Sequence, residues 1–193
     1  MATSANKRLF GFTMVEMLAV IVIISILASA SMIGLTKARV TAYRTRTRDT
    51  CRQVAEAWKL YLMDNHKFPA KEKLGAEGGA LVMNLKTLKE LNGFDYEKDA
   101  TNSVSSSAYL EVNLEEIGVG QLKRSNKKGL VDKWGNYIYF NLDFDLVGEV
   151  DHPAPEMYGN RQDDYKKIKE HQVVWSKGDK PGNENKKGWI VIW

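Results

Sequence analysis

Uncharged, mostly apolar residues run from position 12 to position 35, and only Glu16 interrupts them. As a helix these 24 residues would span about 36 Å, enough to cross a hydrocarbon layer of about 30 Å. Lys7 and Arg8 precede the run, as in a secretory signal peptide, and Ala28, Ser29, Ala30 and Ser31 offer small residues for a cut. The apolar pattern continues past them through Met32, Ile33 and Leu35. A retained transmembrane helix accounts for that continuation.

Beyond it, residues 36–64 hold no Gly or Pro, and Val40, Tyr43, Cys51, Val54, Ala55, Trp58, Tyr61 and Leu62 recur at three- and four-residue intervals. This spacing predicts that the helix continues as an amphipathic spine. Residues 65–80 read as a loop from their Gly and Pro content. Residues 84–92 predict a short helix with Leu85, Leu88 and Leu91 on one side and Gly93 past its end. A polar loop follows at 98–108. Strands are expected at 109–114 (YLEVNL), 137–142 (YIYFNL), 172–175 (QVVW) and 188–193 (GWIVIW). The expected fold class is therefore α+β, a long N-terminal helix, half transmembrane and half amphipathic, packed against a small C-terminal antiparallel sheet.

The chain has 193 residues, 44% apolar and 27% charged, with a net charge of +4. These values exclude wholesale disorder and a multi-span membrane protein, and the charge is too small to argue for nucleic acid. A single cysteine, Cys51, cannot close an internal disulfide, and its place among the apolar positions predicts a buried side chain. Lys37, Arg39, Arg44, Arg46, Arg48 and Arg52 lie just beyond the apolar run and outnumber Lys7 and Arg8. They read as a solvated face, or else as partners for acidic surfaces and lipid headgroups. By the positive-inside tendency this cluster places the C-terminal side in the cytoplasm.

Glu16 is the residue that chemistry must explain. A carboxylate inside a spanning helix costs roughly 2.5–3.5 kcal/mol, which a position at the headgroup boundary would relieve by snorkelling. Cutting after Gly11 would instead give Phe12 a free amine, and an amine about 4 Å from a carboxylate attracts it by roughly 4 kcal/mol at an effective dielectric near 20. One subunit's Glu16 would then be neutralised by the amine of the next. The segment KRLFGFTMVEMLAVIVIISILA resembles the prepilin leader and methylation segment of type IV pilins and type II secretion pseudopilins. The resemblance implies that a prepilin peptidase cuts between Gly11 and Phe12 and N-methylates Phe12, and that Glu16 guides subunits into a helical filament. It also places the C-terminal side outside the inner membrane, opposite to the charge count. The implied organisation is a leader (1–11), a transmembrane and assembly helix (12–35) and a soluble pilin-like domain (36–193), with its helical spine at 36–64 and its loops and sheet at 65–193.

Two C-terminal stretches add to this. LVDKWGNYIYF at 130–140 is similar to the Asp-Pro-Trp-Gly segment of major pseudopilins, with Lys133 where a proline is usual. VVWSKGDKPGNENKKGWIVIW at 173–193 resembles their closing loop and strand. In that family the loop often binds calcium, and Ser176, Asp179, Asn183, Glu184 and Asn185 are the oxygen ligands available here. Lys177, Lys180, Lys186 and Lys187 stand among them and repel a dication. Asp143 and Asp145 open a segment that fails as an EF-hand at Val147 and Ala154. No catalytic constellation is legible: His66, His152 and His171 lie in unrelated contexts, and nucleophile and phosphate-loop motifs are missing. The resemblance therefore implies a non-enzymatic structural subunit of a type II secretion-like pseudopilus that drives protein export across the outer membrane. Its implied partners are other copies of itself, other pseudopilins, the inner-membrane assembly platform, the prepilin peptidase and the membrane, with no nucleic acid. It would be a single-pass inner-membrane protein with a periplasmic domain, extractable into a filament. A type IV pilus subunit and a membrane-anchored ligand-binding module are the rival readings.

Overall fold

The computed structural model describes residues 13–77, 80–93, 109–112, 116–119, 128–179 and 188–193. The chain divides into two units, Met1–Thr41 and Ala42–Trp193. Helix α1 covers Met14–Asn65, so the apolar run and the amphipathic spine form one continuous helix. In the first unit the large apolar side chains described are exposed, and the stretch is long and apolar enough to cross a membrane. Ser25, Ser29 and Ser31 donate their hydroxyls to the carbonyls four residues earlier, at 2.7–2.8 Å. These hydroxyls therefore need no water, which suits an apolar layer. The helix ends at Asn65, where His66 takes a left-handed φ of 56° and its N–H bonds to the Leu62 carbonyl.

In the second unit α1 buries Thr47, Cys51, Val54, Ala55, Ala57 and Trp58, while Tyr43, expected on the packed face, stays 41% exposed. Trp58 lies 5.2 Å from Phe140, centroid to centroid, at the centre of the core. Five strands form one antiparallel sheet: β1 (Ala76–Glu77), β2 (Ala80–Val82), β5 (Tyr139–Leu142), β8 (Gln172–Ser176) and β9 (Ile190–Ile192), in the order β1-β2-β5-β8-β9. Two small ladders accompany it, β3 (Ile117–Val119) with β4 (Lys128–Leu130), and β6 (Val150–Asp151) with β7 (Lys167–Ile168). Alternation decides the faces. Ile138, Phe140, Leu142 and Val174 join α1 in one core, whereas Tyr137, Tyr139, Val173 and Trp175 build a second cluster with Val150 and Ile168. Apolar residues on both faces explain why YIYF and QVVW read as nearly unbroken apolar strings.

Helix α2 (Leu85–Asn92) matches its expected bounds, with Asn84 accepting from the Thr87 N–H at its start and Gly93 left-handed at its end. Two expectations are corrected. Residues 109–112 form no strand, because the Asn92 side-chain amide takes both backbone groups of Leu110, at 2.8 and 3.1 Å, in place of a neighbouring strand. The segment read as a loop at 65–80 contains a 3-10 turn at Lys71–Lys73 and β1, and β2 begins at its last residue. Residues 98–108 lie outside the described residues.

Candidate functional site

Thr13 and Glu16 form a reciprocal cap at the start of α1. The Glu16 carboxylate accepts from the Thr13 N–H (2.8 Å) and hydroxyl (2.7 Å), and the Thr13 hydroxyl accepts from the Glu16 N–H at 3.3 Å. This is a T-x-x-E capping box, a pattern the sequence carries but the reading of Glu16 as a boundary charge or an assembly residue passes over. Both bonds to the carboxylate use the same oxygen, Oε2. The other oxygen has no hydrogen bond among the described residues, and Glu16 is exposed. Glu16 is also the only charged residue between Met14 and Leu35. The cap therefore holds one carboxylate in a fixed rotamer at the edge of an apolar rod, with acceptor capacity left for a cation. Gly11 and Phe12 lie outside the described residues.

The family model of the prokaryotic N-terminal methylation motif matches residues 6–32. This N-terminus is type IV pilin-like. The match spans Gly11, Phe12, Thr13 and Glu16, and together with the apolar helix it is consistent with a single-pass inner-membrane anchor, processing by a prepilin peptidase and filament assembly. No curated protein and no solved structure matches the chain.

In the second unit, the two C-terminal stretches meet at Asp132. One of its oxygens accepts from the N–H groups of Trp134 and Asn136, both at 2.8 Å, and the other from the Asn136 amide at 3.0 Å and from the Ser176 hydroxyl. Asn136 also donates to the Gly178 carbonyl at 2.8 Å, and the Gly178 N–H returns to the Ser176 hydroxyl. Gly178 has a φ of 61°, and the Gly188 carbonyl fills the space a Cβ would need. Only glycine fits there. Beside this hub the Cys51 thiol is buried, and burial together with the Asp132 charge pushes its pKa far up, so it is inert as a nucleophile.

Of the expected calcium ligands, Ser176 is engaged by Asp132, and Asp179 pairs with Arg44 at 2.8 Å. Asn183, Glu184 and Asn185 lie outside the described residues. Among the described residues no group of three acidic, histidine or cysteine side chains is placed to hold a metal ion. A dication drawing on Asp179 would compete with the Arg44 guanidinium for its carboxylate. The arginines are thus partly partners of acidic groups within the same unit: Arg46 likewise reaches Glu116 at 3.0 Å. Both guanidinium groups are nearly half exposed, so each pair adds about 1 kcal/mol or less.

Asp143 is engaged by its own turn and by His171. Its carboxylate accepts from the Val147 N–H (3.1 Å), the Gly148 N–H (2.7 Å) and His171 Nδ1 (2.8 Å). Burial pushes its pKa up, but the Gly148 N–H, His171 and the Val147 N–H outweigh this and leave it below the ordinary value. A depressed carboxylate stabilises the fold above its unfolded value of about 3.9, and that stability is lost as pH falls through the lower folded value. Asp143→Asn should therefore lower the melting temperature at pH 7 by the equivalent of about 1–2 kcal/mol. The gap to wild type should close on acidification below about pH 4. A gap that stays constant from pH 7 to pH 3 would show that the charge contributes nothing.

Proposed function

We propose that this chain is a structural subunit, without enzymatic activity, of a type II secretion-like pseudopilus. The observation that carries the reading is the methylation motif with a single capped carboxylate five positions into the processed chain. After cleavage at Gly11, the Phe12 amine of an incoming copy supplies the cation that the unused Glu16 oxygen accepts, and the exposed apolar faces of the helices pack side by side. The helix spans the inner membrane once and the second unit lies in the periplasm. The Asp132 hub joins the two stretches that are similar to major pseudopilins, which supports the secretion reading over that of a type IV pilus subunit. A single cysteine supports it too, since many type IV pilins staple their C-terminal loop.

Intact-mass analysis of membrane-extracted protein should show loss of residues 1–11 and one added methyl group on Phe12. A full-length mass in cells with active prepilin peptidase, or a cut near Ala30, overturns the assignment. Deleting the chain should abolish export of secreted proteins while surface motility persists. The reverse outcome would establish the pilus subunit instead.

A further inference from the structure

We propose that Lys37 and Arg39 bind the phosphate groups of anionic phospholipids where α1 leaves the bilayer. The proposal rests on the membrane-anchor reading above and names the class of lipid that the anchor selects. No acidic residue stands between Glu16 and Asp49, whereas this stretch of α1 carries Lys37, Arg39, Arg44, Arg46 and Arg48. The structure sorts these cations. Arg44 pairs with Asp179 and Arg46 with Glu116, so both are taken up inside the second unit. Lys37, Arg39 and Arg48 are exposed, and among the described residues none of their side chains has an ion pair or hydrogen bond.

Distance from the apolar run separates the remaining three. At about 1.5 Å per residue, Lys37 and Arg39 stand roughly 3 and 6 Å beyond Leu35, within a headgroup layer about 5–8 Å deep. Arg48 stands about 20 Å out, past that layer. Lys37 and Arg39 are two positions apart, so they leave the helix about 200° from each other and form a collar rather than a one-sided patch. The nearby Thr41 hydroxyl is bonded to the Lys37 carbonyl at 3.1 Å, which leaves the two cations to meet the headgroups. The Arg39 guanidinium offers paired N–H donors that fit two phosphate oxygens, and the Lys37 ammonium adds a compact charge. A zwitterionic headgroup brings its own cation beside the phosphate and weakens this attraction; an anionic headgroup does not.

The test uses the full chain reconstituted into phosphatidylcholine vesicles with a trace of spin-labelled phosphatidylglycerol or spin-labelled phosphatidylcholine. The electron-spin-resonance spectrum reads the lipid slowed at the protein surface. The wild-type chain should favour the anionic label several-fold, and Lys37→Gln combined with Arg39→Gln should bring the ratio close to one. Arg48→Gln should leave the ratio unchanged. Salt raised to about 1 M should erode the wild-type preference, as for any charges near a surface. A wild-type ratio of one, or an undiminished preference in the double variant, overturns the proposal. Loss of the preference in millimolar inorganic phosphate would make free phosphate the ligand and overturn the lipid assignment. A double variant that keeps the preference but loses filaments would assign the two cations to an acidic face of a neighbouring copy instead. Release of the wild-type chain from membranes by alkaline carbonate overturns the anchor reading itself.

Discussion

Glu16→Ala should abolish filament growth, or cut it at least tenfold, while membrane insertion and processing after Gly11 persist. The substitution removes an insertion cost of roughly 2.5–3.5 kcal/mol. It also removes the one anion that can meet a Phe12 amine in the apolar layer. Because Glu16 caps α1 through Thr13, alanine also loses about 0.5–2 kcal/mol of local helix stability. Glu16→Gln separates the two roles, since glutamine still serves in a capping box but has no charge. Both variants should fail in electron micrographs of sheared material if the charge drives assembly. Wild-type filament levels from Glu16→Gln, with none from Glu16→Ala, would make the residue a cap and nothing more.

Asp132→Ala should strongly destabilise the second unit. Asp132 is buried and accepts from two backbone N–H groups, the Asn136 amide and the Ser176 hydroxyl. Its loss strands these donors, at a cost on the order of 3–5 kcal/mol. At about 2–4 °C per kcal/mol for a chain of this size, the melting temperature should fall by roughly 10 °C. Amide exchange at Gly178 should accelerate in the same variant, because the Ser176 and Asn136 contacts that hold this glycine hang from Asp132. Arg44→Gln, which removes an exposed pair, should cost about 1 kcal/mol or less. Equal effects from the two substitutions would mean that the loop is held by Arg44 and not by the hub.

What was legible along the chain followed from local periodicity. The three- and four-residue spacing around Trp58 gave the spine, and Asn84 and Gly93 bracketed α2. YIYFNL and QVVW gave strands one or two residues away from their observed ends. YLEVNL misled because its alternation is that of a strand while the partner of Leu110 is a side chain. The β1–β2 pair escaped notice because strands of two and three residues are too short to show a period, and the Gly-rich composition around them signals a loop.

The N-terminal segment was determined by sequence alone, because its chemistry is local: a basic leader, a Gly-Phe junction, a carboxylate four residues on and an apolar helix long enough to span a bilayer. The partners of the charged and polar residues in the second unit were decided only by tertiary structure. Arg44 finds Asp179 across 135 positions, and Ser176 finds Asp132 across 44. Hydrophobic periodicity records which face of an element is buried, but not which polar group the fold sets opposite another. Chain topology and sheet register bring those groups together, and no short window of sequence contains them.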